Sequence, residues 1–400
     1  MDRKVREMVM DPIEQTLQYV NGARRCFGCG ACAAACPKSA LKMEPDAEGF
    51  AFPRIDFGLC VKCGACRRAC LVNAPDRAAD HDPEFYVARH PRKEIRMSST
   101  SGGAFTAFSD VVLSRGGAVA GAVWSPDFSV YHTVAFDSAG RDAMRGSKYV
   151  QSDSSQVWRE VRRLLGEGRE VLFSGTPCQV AALYAFLGDR PANLTTVDFI
   201  CHGTPSPQVF RAYLHDLETR SGARIVRVRC RDQRSGYVPM RIGVEFADGT
   251  SYVEDCERDP YFRLFLSGIL NRRSCSGCPF TRVRRGSDLT IADNWRFVSF
   301  APEWDDNTGV SSLLVNTERG AELLRAAETL EVKRCTLAEV DQHYLHCPGG
   351  EHPDRGLFFR AWRKHGFADA AADFLRPRPL YRRLRSRLLK IIRRFLRPAG

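Results

Sequence analysis

The residues of this sequence with the most distinctive chemistry are cysteines, eight of which stand in two short and similar runs. The runs read CFGCGACAAACP over residues 26–37 and CVKCGACRRACL over residues 60–71. Their thiols belong to Cys26, Cys29, Cys32, Cys36, Cys60, Cys63, Cys66 and Cys70. The opening MDRKVREMVMDPIEQTLQYV mixes acidic and basic residues and lacks the apolar centre of a signal peptide. We therefore expect a reducing, cytoplasmic location, in which closely spaced thiols bind metals or carry out redox chemistry.

The spacing of the two runs indicates which metal centre they hold. Each has the pattern C-x2-C-x2-C-x3-C of bacterial ferredoxins with two [4Fe–4S] clusters, in which the fourth cysteine ligates the cluster of the other run. We assign one cluster to Cys26, Cys29, Cys32 and Cys70, and a second to Cys60, Cys63, Cys66 and Cys36. A zinc site or a set of structural thiols is the alternative, and the doubled spacing argues against both.

Four of the remaining eight cysteines are candidates for a third cluster. Cys178 follows the strand-like run VLFSG, and Cys201 follows the apolar run TTVDFI. Cys275 and Cys278 form the pair CSGC, whose spacing suits half of a cluster or a zinc ion. Because strand ends of an α/β sheet meet at one edge, these thiols can converge there. Free cysteines are also commonly small buried apolar residues, so the spacing leaves both interpretations open.

Six further motifs make the sequence recognisable. They are SSTSGGAFTAF (98–108), RGSKYVQSD (145–153), VLFSGTPCQVAAL (171–183), DFICHGTPSP (198–207), DPYFRLFLSGILNRRSCSGCPF (259–280) and SDLTIADNW (287–295). In this order they resemble the coenzyme F420 hydrogenase/dehydrogenase beta-subunit family, in the branch with an N-terminal two-cluster ferredoxin domain. The resemblance runs from Arg24 to about Cys335. It implies a flavin, usually FAD, and an iron–sulfur cluster in the catalytic domain, with Cys178, Cys201, Cys275 and Cys278 at the family's cysteine positions.

The same motifs supply the candidate flavin-binding and catalytic residues. Small residues before a helix leave N–H groups for a phosphate, and a lysine beside them can stabilise negative charge on a reduced flavin. A plain helix cap, a solvated lysine and a histidine that only forms hydrogen bonds are the simpler interpretations. The predicted flavin-binding residues are Ser101, Gly102, Gly103, Thr106, Ser147, Lys148, Tyr149, Thr176 and Gln179. The predicted catalytic residues are Lys148 and, as a proton donor, His202.

The elements that must position these residues include both strands and helices. Apolar runs predict strands at GAVAGAVW, EVLFSG, LTTVDFI and SDLTIAD, and RIGVEFADGTSYVED predicts a β-hairpin. Helical periodicity appears in VWREVRRLLGEG, SPQVFRAYLHDLETRSG and TERGAELLRAAETL. We expect an α+β or α/β fold with a two-cluster ferredoxin domain at 21–75, a linker at 76–95, and a mixed-sheet flavin and iron–sulfur domain at 96–340. No G-x-G-x-x-G after a strand and no P-loop motif is present, so neither nucleotide-binding fold is predicted.

The C-terminal segment 376–400 differs in composition from the rest of the chain. It holds ten lysines and arginines and no acidic residue, whereas the formal net charge of the whole sequence is +12. The remaining chain is therefore almost neutral, which argues against a nucleic-acid-binding face. Leu384, Leu388 and Phe395 recur at helical spacing among the arginines, as in an amphipathic helix on an anionic membrane surface. A partner-docking helix or a disordered basic end is the alternative.

Two classes of function agree with these observations. The first is a flavin-dependent iron–sulfur oxidoreductase, in which electrons pass from the ferredoxin clusters through a third cluster to a flavin that reduces or oxidises a small organic substrate. The second is a non-catalytic electron-transfer subunit of a larger hydrogenase or dehydrogenase complex. Both predict a redox partner, such as a ferredoxin or a dehydrogenase subunit, and both are compatible with a homo-oligomer. The resemblance includes relatives encoded near surface-polysaccharide genes, and among the roles that it implies the membrane-like tail fits best one linked to surface-polysaccharide biosynthesis.

Deletion of residues 376–400 tests the membrane interpretation. The deletion removes ten cations and an apolar stripe but none of the proposed cofactor ligands. We expect unchanged iron and flavin content and a sharp loss of liposome binding, because each cation near an anionic surface contributes about 1 kcal/mol and the stripe adds hydrophobic attachment. Co-sedimentation with anionic liposomes at two salt concentrations measures this binding. Loss of flavin or precipitation of the shortened chain would instead identify a structural or subunit-docking helix.

Overall fold

The computed structural model describes residues 25–74 and 78–376, and within them the two cysteine runs fold as two copies of one small unit. Each run is a loop followed by a single helical turn, α1 (Ala31–Ala34) and α2 (Ala65–Arg68). The antiparallel strands β1 (Leu41–Pro45) and β2 (Ala51–Ile55) lie between the two turns. Gly30 and Gly64 precede the helical turns with φ of 73° and 72°, left-handed values that a residue with a Cβ adopts only at a cost. The repeated sequence therefore produces a repeated local structure.

A mixed sheet of eight strands forms the centre of the larger domain. Its strands are β3 (Glu84–Arg89), β4 (Ala118–Trp124), β5 (Val130–Ala135), β6 (Val171–Ser174), β7 (Leu194–Phe199), β11 (Leu289–Asp293), β12 (Ser311–Val315) and β13 (Glu331–Arg334). They are ordered β13-β3-β12-β11-β7-β6-β4-β5, and the pairs β11–β7, β7–β6 and β6–β4 are parallel while the others are antiparallel. The expected mixed α/β fold and its four predicted strands are confirmed.

Helices cover both faces of this sheet, because its central strands are apolar on both sides. Ala118 and Phe173 pack in one cluster with helices α6 (Val157–Gly166) and α7 (Pro177–Leu187), whereas Val119 and Leu172 pack in another with helix α4 (Ala104–Ser114). The helices of the larger domain are α3 (Lys93–Met97), α4 (Ala104–Ser114), α5 (Ser138–Asp142), α6 (Val157–Gly166), α7 (Pro177–Leu187), α8 (Pro207–Ser221), α9 (Pro260–Leu266), α10 (Glu318–Ala326), α11 (Leu337–Val340), α12 (Arg355–His365) and α13 (Phe367–Leu375). Three of them, α6, α8 and α10, match the helices that the periodicity predicts.

A second, smaller sheet packs against an aromatic core. It consists of the antiparallel strands β8 (Ile225–Arg229), β9 (Arg241–Phe246) and β10 (Ser251–Asp255), of which β9 and β10 are the predicted hairpin. Beside it, helices α8, α9 and α13 interlock through rings: Tyr213 stacks on Tyr261 at 5.2 Å between centroids, and Phe367 meets Tyr213 edge to face at 5.4 Å. Helices α12 and α13 belong to this core, so the folded region extends beyond the expected domain end at residue 340.

The segment expected to be a linker contributes to the sheet instead. Residues 76–95 contain strand β3, which lies between β12 and β13 and pairs antiparallel with both. Val87 and Ala88 of this strand are fully buried. The polar, proline-bearing stretch before it predicts a linker, but the strand itself is short and its partners lie more than two hundred residues away, so no local pattern identifies it. The expected C-terminal helix, apart from Arg376, lies outside the described residues.

None of the helices within residues 25–74 and 78–376 has the length and apolar character needed to span a lipid bilayer.

A buried ion pair holds the last loop before β11 against the end of β7. The Arg285 Nε donates to both carboxylate oxygens of Asp198 at 3.1 Å, and each side chain is only 2% exposed. Burial raises the pKa of the Asp198 carboxyl, while Arg285 and the Thr290 hydroxyl oppose that rise. The pair therefore matters chiefly because either partner alone would be a buried, uncompensated charge.

Replacement of Arg285 by methionine tests this pair. We expect the free energy of unfolding to fall by about 3–5 kcal/mol, because Asp198 loses its counter-charge in a buried place. The neighbouring variant Arg284→Met is a matched control, since Arg284 pairs with Asp82 at 2.8 Å on the exposed surface, where solvent screens the pair, and its free energy of unfolding should fall much less. Urea unfolding of the anaerobic proteins measures both changes. Equal losses for the two variants would contradict the account.

Candidate functional site

The first cysteine group comes together around helix α1. Burial raises the pKa of the Cys29 thiol well above its ordinary value, and the nearby thiols of Cys32, Cys26 and Cys70 raise it further. Cys70 belongs to the second run yet lies with three cysteines of the first. The Gly28 N–H points at the Cys26 Sγ at 3.4 Å, a contact that stabilises a thiolate bound to a metal centre.

The second cysteine group lies beside the first and nearer to the surface. Cys36, Cys60 and Cys66 pack in one small cluster, and Cys63 is exposed. Burial raises the pKa of the Cys66 thiol, and Cys36 and Cys60 add to the rise. The Ala40 N–H donates to the Cys36 Sγ at 3.3 Å. The two runs have therefore exchanged their last cysteines, because Cys36 lies with the second run and Cys70 with the first.

The third cysteine group is assembled from segments that are distant in the sequence. Cys178 begins helix α7, Cys201 follows strand β7, and Cys275 and Cys278 belong to a turn at residues 273–278. Burial raises the pKa of the Cys201 thiol, and Cys275, Cys178 and Cys278 raise it further. Burial likewise raises the pKa of Cys278 to about 11. Cys29 is among the thiols that act on Cys178, so the third group is adjacent to the first.

These donor sets fit iron–sulfur clusters better than single metal ions. All sixteen cysteines have free thiols. Within the described residues, no three cysteine, histidine, aspartate or glutamate side chains converge closely enough to bind one ion. A four-iron cluster binds its thiolates at four different iron atoms, so its ligands stand further apart than those of one ion. The three groups have four thiols each, and one sulfur of each group accepts a backbone N–H, at Cys26, Cys36 and Cys201.

A cavity of about 420 Å³ opens beside the first and third cysteine groups, a volume that suits a bound organic molecule. The thiols on its wall belong to Cys29, Cys178, Cys201 and Cys275. The predicted flavin or catalytic residues on its wall are Ser101, Gly103, Ser147, Lys148, Tyr149, Thr176, Gln179 and His202. Motifs that lie more than one hundred residues apart in the sequence therefore face one space.

Two predicted flavin-binding residues, Gly102 and Thr106, form hydrogen bonds within the chain and do not line this cavity. The Gly102 N–H donates to the Ser311 Oγ at 3.0 Å, and a Cβ at this position would lie 2.3 Å from the Ala88 carbonyl oxygen. The Thr106 Oγ1 accepts a hydrogen bond from Arg145 Nε at 3.0 Å. Gly103, in contrast, lies on the wall at the start of helix α4, which no side chain caps. The first N–H groups of that helix are therefore suited to a phosphate.

Lys148 is a half-buried cation on the cavity wall. Its ammonium donates to the carbonyl oxygens of Met144, Arg145 and Gly146 at 3.1–3.2 Å. Burial lowers the Lys148 pKa to about 8, and the nearby Cys230 opposes that shift. The neighbouring Tyr149 ring is fixed by edge-to-face contact with Phe262 at 5.4 Å. Lys148 is therefore a positive group that can release a proton near physiological pH.

Thr176 and Gln179 use most of their hydrogen-bonding capacity to start helix α7. They form a capping box in which the Thr176 Oγ1 accepts from the Gln179 N–H and the Gln179 Oε1 accepts from the Thr176 N–H. The Gln179 amide also donates to the Ser152 Oγ at 2.9 Å, and the Thr176 hydroxyl lies 3.0 Å from the Cys178 Sγ. Both residues thereby fix the position of Cys178.

His202 lies between the cavity and the aromatic ring of Tyr344. Its imidazole stacks on Tyr344 with 4.3 Å between ring centroids and an angle of 26°. Burial lowers the pKa of His202, although the charge of Asp293 opposes the shift. A neutral imidazole of this kind orients groups by hydrogen bonding more readily than it donates a proton.

A group of residues that the sequence analysis did not single out forms another part of the cavity wall. The buried Arg231 pairs with Asp293 at 2.9 Å between Nη1 and Oδ2. Its guanidinium lies under Tyr237 and Trp295, which stack on each other with 5.0 Å between centroids. Arg231, Asp293 and Trp295 line the cavity. The motif SDLTIADNW contains Asp293 and Trp295, so their proximity to the site could have been anticipated, whereas no local pattern marks Arg231.

His132 is a second such residue. It is almost fully buried, its ring stacks on Phe173 with 5.6 Å between centroids, and burial lowers its pKa to about 4. Its Nε2 lies 3.2 Å from the Ser174 carbonyl oxygen, which assigns the proton to Nε2. The Nδ1 then remains as a hydrogen-bond acceptor on the cavity wall, with no partner among the described residues.

Side chains of the larger domain hold the first cysteine run by its carbonyl oxygens. Arg272 Nε donates to the Cys26 carbonyl at 2.7 Å, and Trp158 Nε1 donates to the Cys29 carbonyl at 2.8 Å. Gln151 Nε2 donates to the Phe27 carbonyl at 2.9 Å. A Cβ on Gly28 would lie only 2.7 Å from Arg272 Nη1, so glycine permits this close approach. The first and third cysteine groups are thereby held at a fixed separation.

Replacement of Lys148 by methionine tests the cost of burying its charge. The Lys148 pKa is about 8 in the folded chain and 10.5 in the unfolded chain. Between pH 10.5 and 8 the unfolded chain therefore binds this proton more readily than the folded chain, and the folded state loses stability as the pH falls. Between pH 8 and 10 we expect the wild-type free energy of unfolding to rise by about 2 kcal/mol relative to Lys148→Met. Urea unfolding at several pH values measures this. The exposed-lysine variant Lys364→Met should follow the wild type, and parallel curves for Lys148→Met would contradict the prediction.

Comparison with known proteins agrees with the motifs. Residues 168–341 match the family model for the C terminus of the coenzyme F420 hydrogenase/dehydrogenase beta subunit, and residues 25–74 match the 4Fe-4S dicluster domain. No curated protein matches the chain. A solved chain of the F420-reducing [NiFe] hydrogenase complex from Methanosarcina barkeri is similar at 18% identity and a TM-score of 0.45, over 75% of this chain and 94% of that one. The chain is therefore an iron–sulfur electron-transfer protein with an N-terminal 4Fe-4S dicluster domain, and its residues 168–341 are related to the C terminus of the coenzyme F420 hydrogenase/dehydrogenase beta subunit.

Proposed function

We propose that the chain is a flavin-dependent iron–sulfur oxidoreductase with a third [4Fe–4S] cluster between its dicluster domain and an FAD. The observation that carries the proposal is the composition of one cavity wall. It combines thiols of the first and third cysteine groups with the uncapped start of helix α4 and the half-buried ammonium of Lys148. A pocket that joins metal-binding thiols to a phosphate-binding helix start and a cation suits an electron-carrying cofactor with phosphates.

Each of the proposed cofactors has a set of residues that suits it. The third group, Cys178, Cys201, Cys275 and Cys278, would ligate the third cluster. The start of helix α4 at Gly103 would bind a phosphate of FAD, and Lys148 would offset negative charge on it. When bound, the clusters supply one-electron carriers and the flavin supplies exchange between one-electron and two-electron transfer.

The chain's own residues contribute positioning, exclusion of water and a proton. The capping box of Thr176 and Gln179 keeps Cys178 at the cavity wall. The Lys148 Nζ, with a pKa of about 8, carries a transferable proton at neutral pH, and the unpartnered Nδ1 of the neutral His132 would accept a hydrogen bond from a bound molecule. The Tyr237–Trp295 stack and the Arg231–Asp293 pair would bound the space left for a small organic substrate.

The second candidate function is a non-catalytic electron-transfer subunit, which the family description as a beta subunit supports. In that case a partner protein would take up or deliver the electrons. Coenzyme F420 is a suitable probe because the family description names it. Loss of its visible absorbance with the isolated, dithionite-reduced chain would support catalysis, and no change until a partner is added would support the electron-transfer role.

Cofactor analysis of cysteine variants tests the third cluster and the flavin. We expect about twelve iron atoms and about one flavin per wild-type chain, from three four-iron clusters. Cys275→Ser should leave about eight iron atoms and slow reduction of the flavin, because the dicluster domain keeps its ligands. Cys230→Ser is the matched control, because Cys230 is fully buried in the aromatic core beside the second sheet. This variant should keep the iron content and the rate of flavin reduction of the wild type.

Anaerobic iron, acid-labile sulfide and flavin analysis, together with EPR spectra, measures these contents. About eight iron atoms in the wild type would remove the third cluster from the proposal. Loss of a cluster from Cys230→Ser equal to that from Cys275→Ser would refute the assignment of ligands.

A further inference from the structure

The dicluster domain presents a concentrated apolar surface. Phe57, Leu59 and Val61 lie within five residues of one another in sequence and are 49%, 52% and 56% exposed. Large apolar side chains that are scattered singly over a surface need no explanation, whereas three in one short segment mark an interaction site. We call the exposed segment of residues 56–63 the Phe57 surface.

The Phe57 surface covers the most accessible part of the second cysteine group. Cys60 and Cys63 belong to the segment itself, and Cys63 is the one exposed thiol among the twelve in the three cysteine groups. The first group is held inside the larger domain by Arg272 and Trp158, and the third is buried beside the cavity. Because electron transfer between proteins weakens steeply with distance, a partner protein that exchanges electrons with this chain would meet it here.

The charge around the Phe57 surface indicates which kind of partner it fits. Residues 54–68 contain four basic residues, Arg54, Lys62, Arg67 and Arg68, against the single acid Asp56, and all five side chains are exposed. The Asp56 carboxylate already accepts the Gly58 N–H at 2.9 Å. A basic rim around an apolar centre is complementary to an acidic protein surface, and such complementarity accelerates association.

We propose that the Phe57 surface is the docking site of a small acidic iron–sulfur protein that exchanges electrons with the second cysteine group. Cys36, Cys60, Cys63 and Cys66 would hold the cluster that accepts one electron from the reduced cluster of the partner. The partner is oxidised, this chain is reduced, and no bond or proton is transferred. The inference rests on the proposed function only in making the dicluster domain the entrance for electrons.

Binding measurements with the full-length holoprotein and an acidic plant-type [2Fe–2S] ferredoxin as the probe test this site. Phe57→Ser and Arg67→Glu should each raise the dissociation constant about tenfold, since one removes apolar contact area and the other reverses a rim charge. Arg67 is preferred to Arg68 because Arg68 donates to the Cys63 carbonyl. Val226→Ser and Arg258→Glu alter an equally exposed valine on strand β8 and an exposed arginine in the turn after strand β10, and both should change affinity less than about twofold.

The basic segment 376–400 would itself attract an acidic protein, so all variants are compared in the same full-length background and at the same salt concentration. Iron content and the rate of reduction by dithionite should be equal in all five proteins. Equal rates of reduction by dithionite together with weaker ferredoxin binding in the surface variants would support docking at the Phe57 surface. A failure of the proposed function would appear elsewhere, as missing cofactors in the wild-type protein.

Three outcomes would overturn the proposal. Equal affinity of the surface variants and the control variants for the ferredoxin would show that docking occurs elsewhere. Self-association that is abolished by Phe57→Ser, measured by sedimentation velocity, would assign the surface to a second copy of the chain. Binding to anionic phosphatidylserine vesicles that persists without residues 376–400 and is lost in Phe57→Ser would assign it to a membrane.

Discussion

The arrangement of the whole molecule depends on how the larger domain binds the backbone of the first cysteine run. Arg272, Gln151 and Trp158 donate hydrogen bonds to three carbonyl oxygens at Cys26, Phe27 and Cys29. Electron transfer requires redox centres at a fixed, short separation, and a flexible connection between domains cannot provide it. Arg272 is suited to the task because its planar guanidinium also donates to the Ala51 carbonyl and lies 4.2 Å from the Phe52 ring, so one side chain binds both the loop and the strand β2.

The sheet determines where the cavity can form. Strands β6, β7 and β11 are parallel neighbours, so their carboxyl ends meet at one edge and deliver Thr176, Cys201 and Asp293 to the same space. This is the position at which α/β sheets commonly bind ligands, because loops there can vary while the strands beneath them stay packed. The buried pair of Asp198 and Arg285 fixes the register at that edge, since it joins β7 to the segment that leads into β11.

Burial gives the cavity its electrostatic character. The ordinary pKa of lysine is too high for it to exchange protons near neutrality, but the loss of solvent brings Lys148 to about 8. The same loss keeps His132 neutral, with a pKa of about 4, and requires Arg231 to have Asp293 as its partner. His132 and Arg231 are therefore each held in one charge state by their surroundings, whereas Lys148 can exchange a proton near neutral pH.

Features that local spacing encodes could be predicted from the amino-acid sequence. The cysteine runs, the strands β4, β6, β7 and β11, the hairpin of β9 and β10 and the helices α6, α8 and α10 all follow from short-range patterns, because hydrophobic periodicity and turn residues act within a few positions. The fold class could be predicted from the same periodic patterns, and the relation to the beta-subunit family from the six short motifs.

Which distant residues lie together on the cavity wall depends on the tertiary structure. Strand β3 in the expected linker, the Arg231–Asp293 pair, the neutral state of His132 and the exclusion of Gly102 and Thr106 from the cavity depend on contacts between segments far apart in the chain. The physical reason is that burial and pairing are properties of the assembled sheet. A residue's periodicity shows whether it faces inward, whereas the charge state and the neighbours that it meets there are set by every element packed around it.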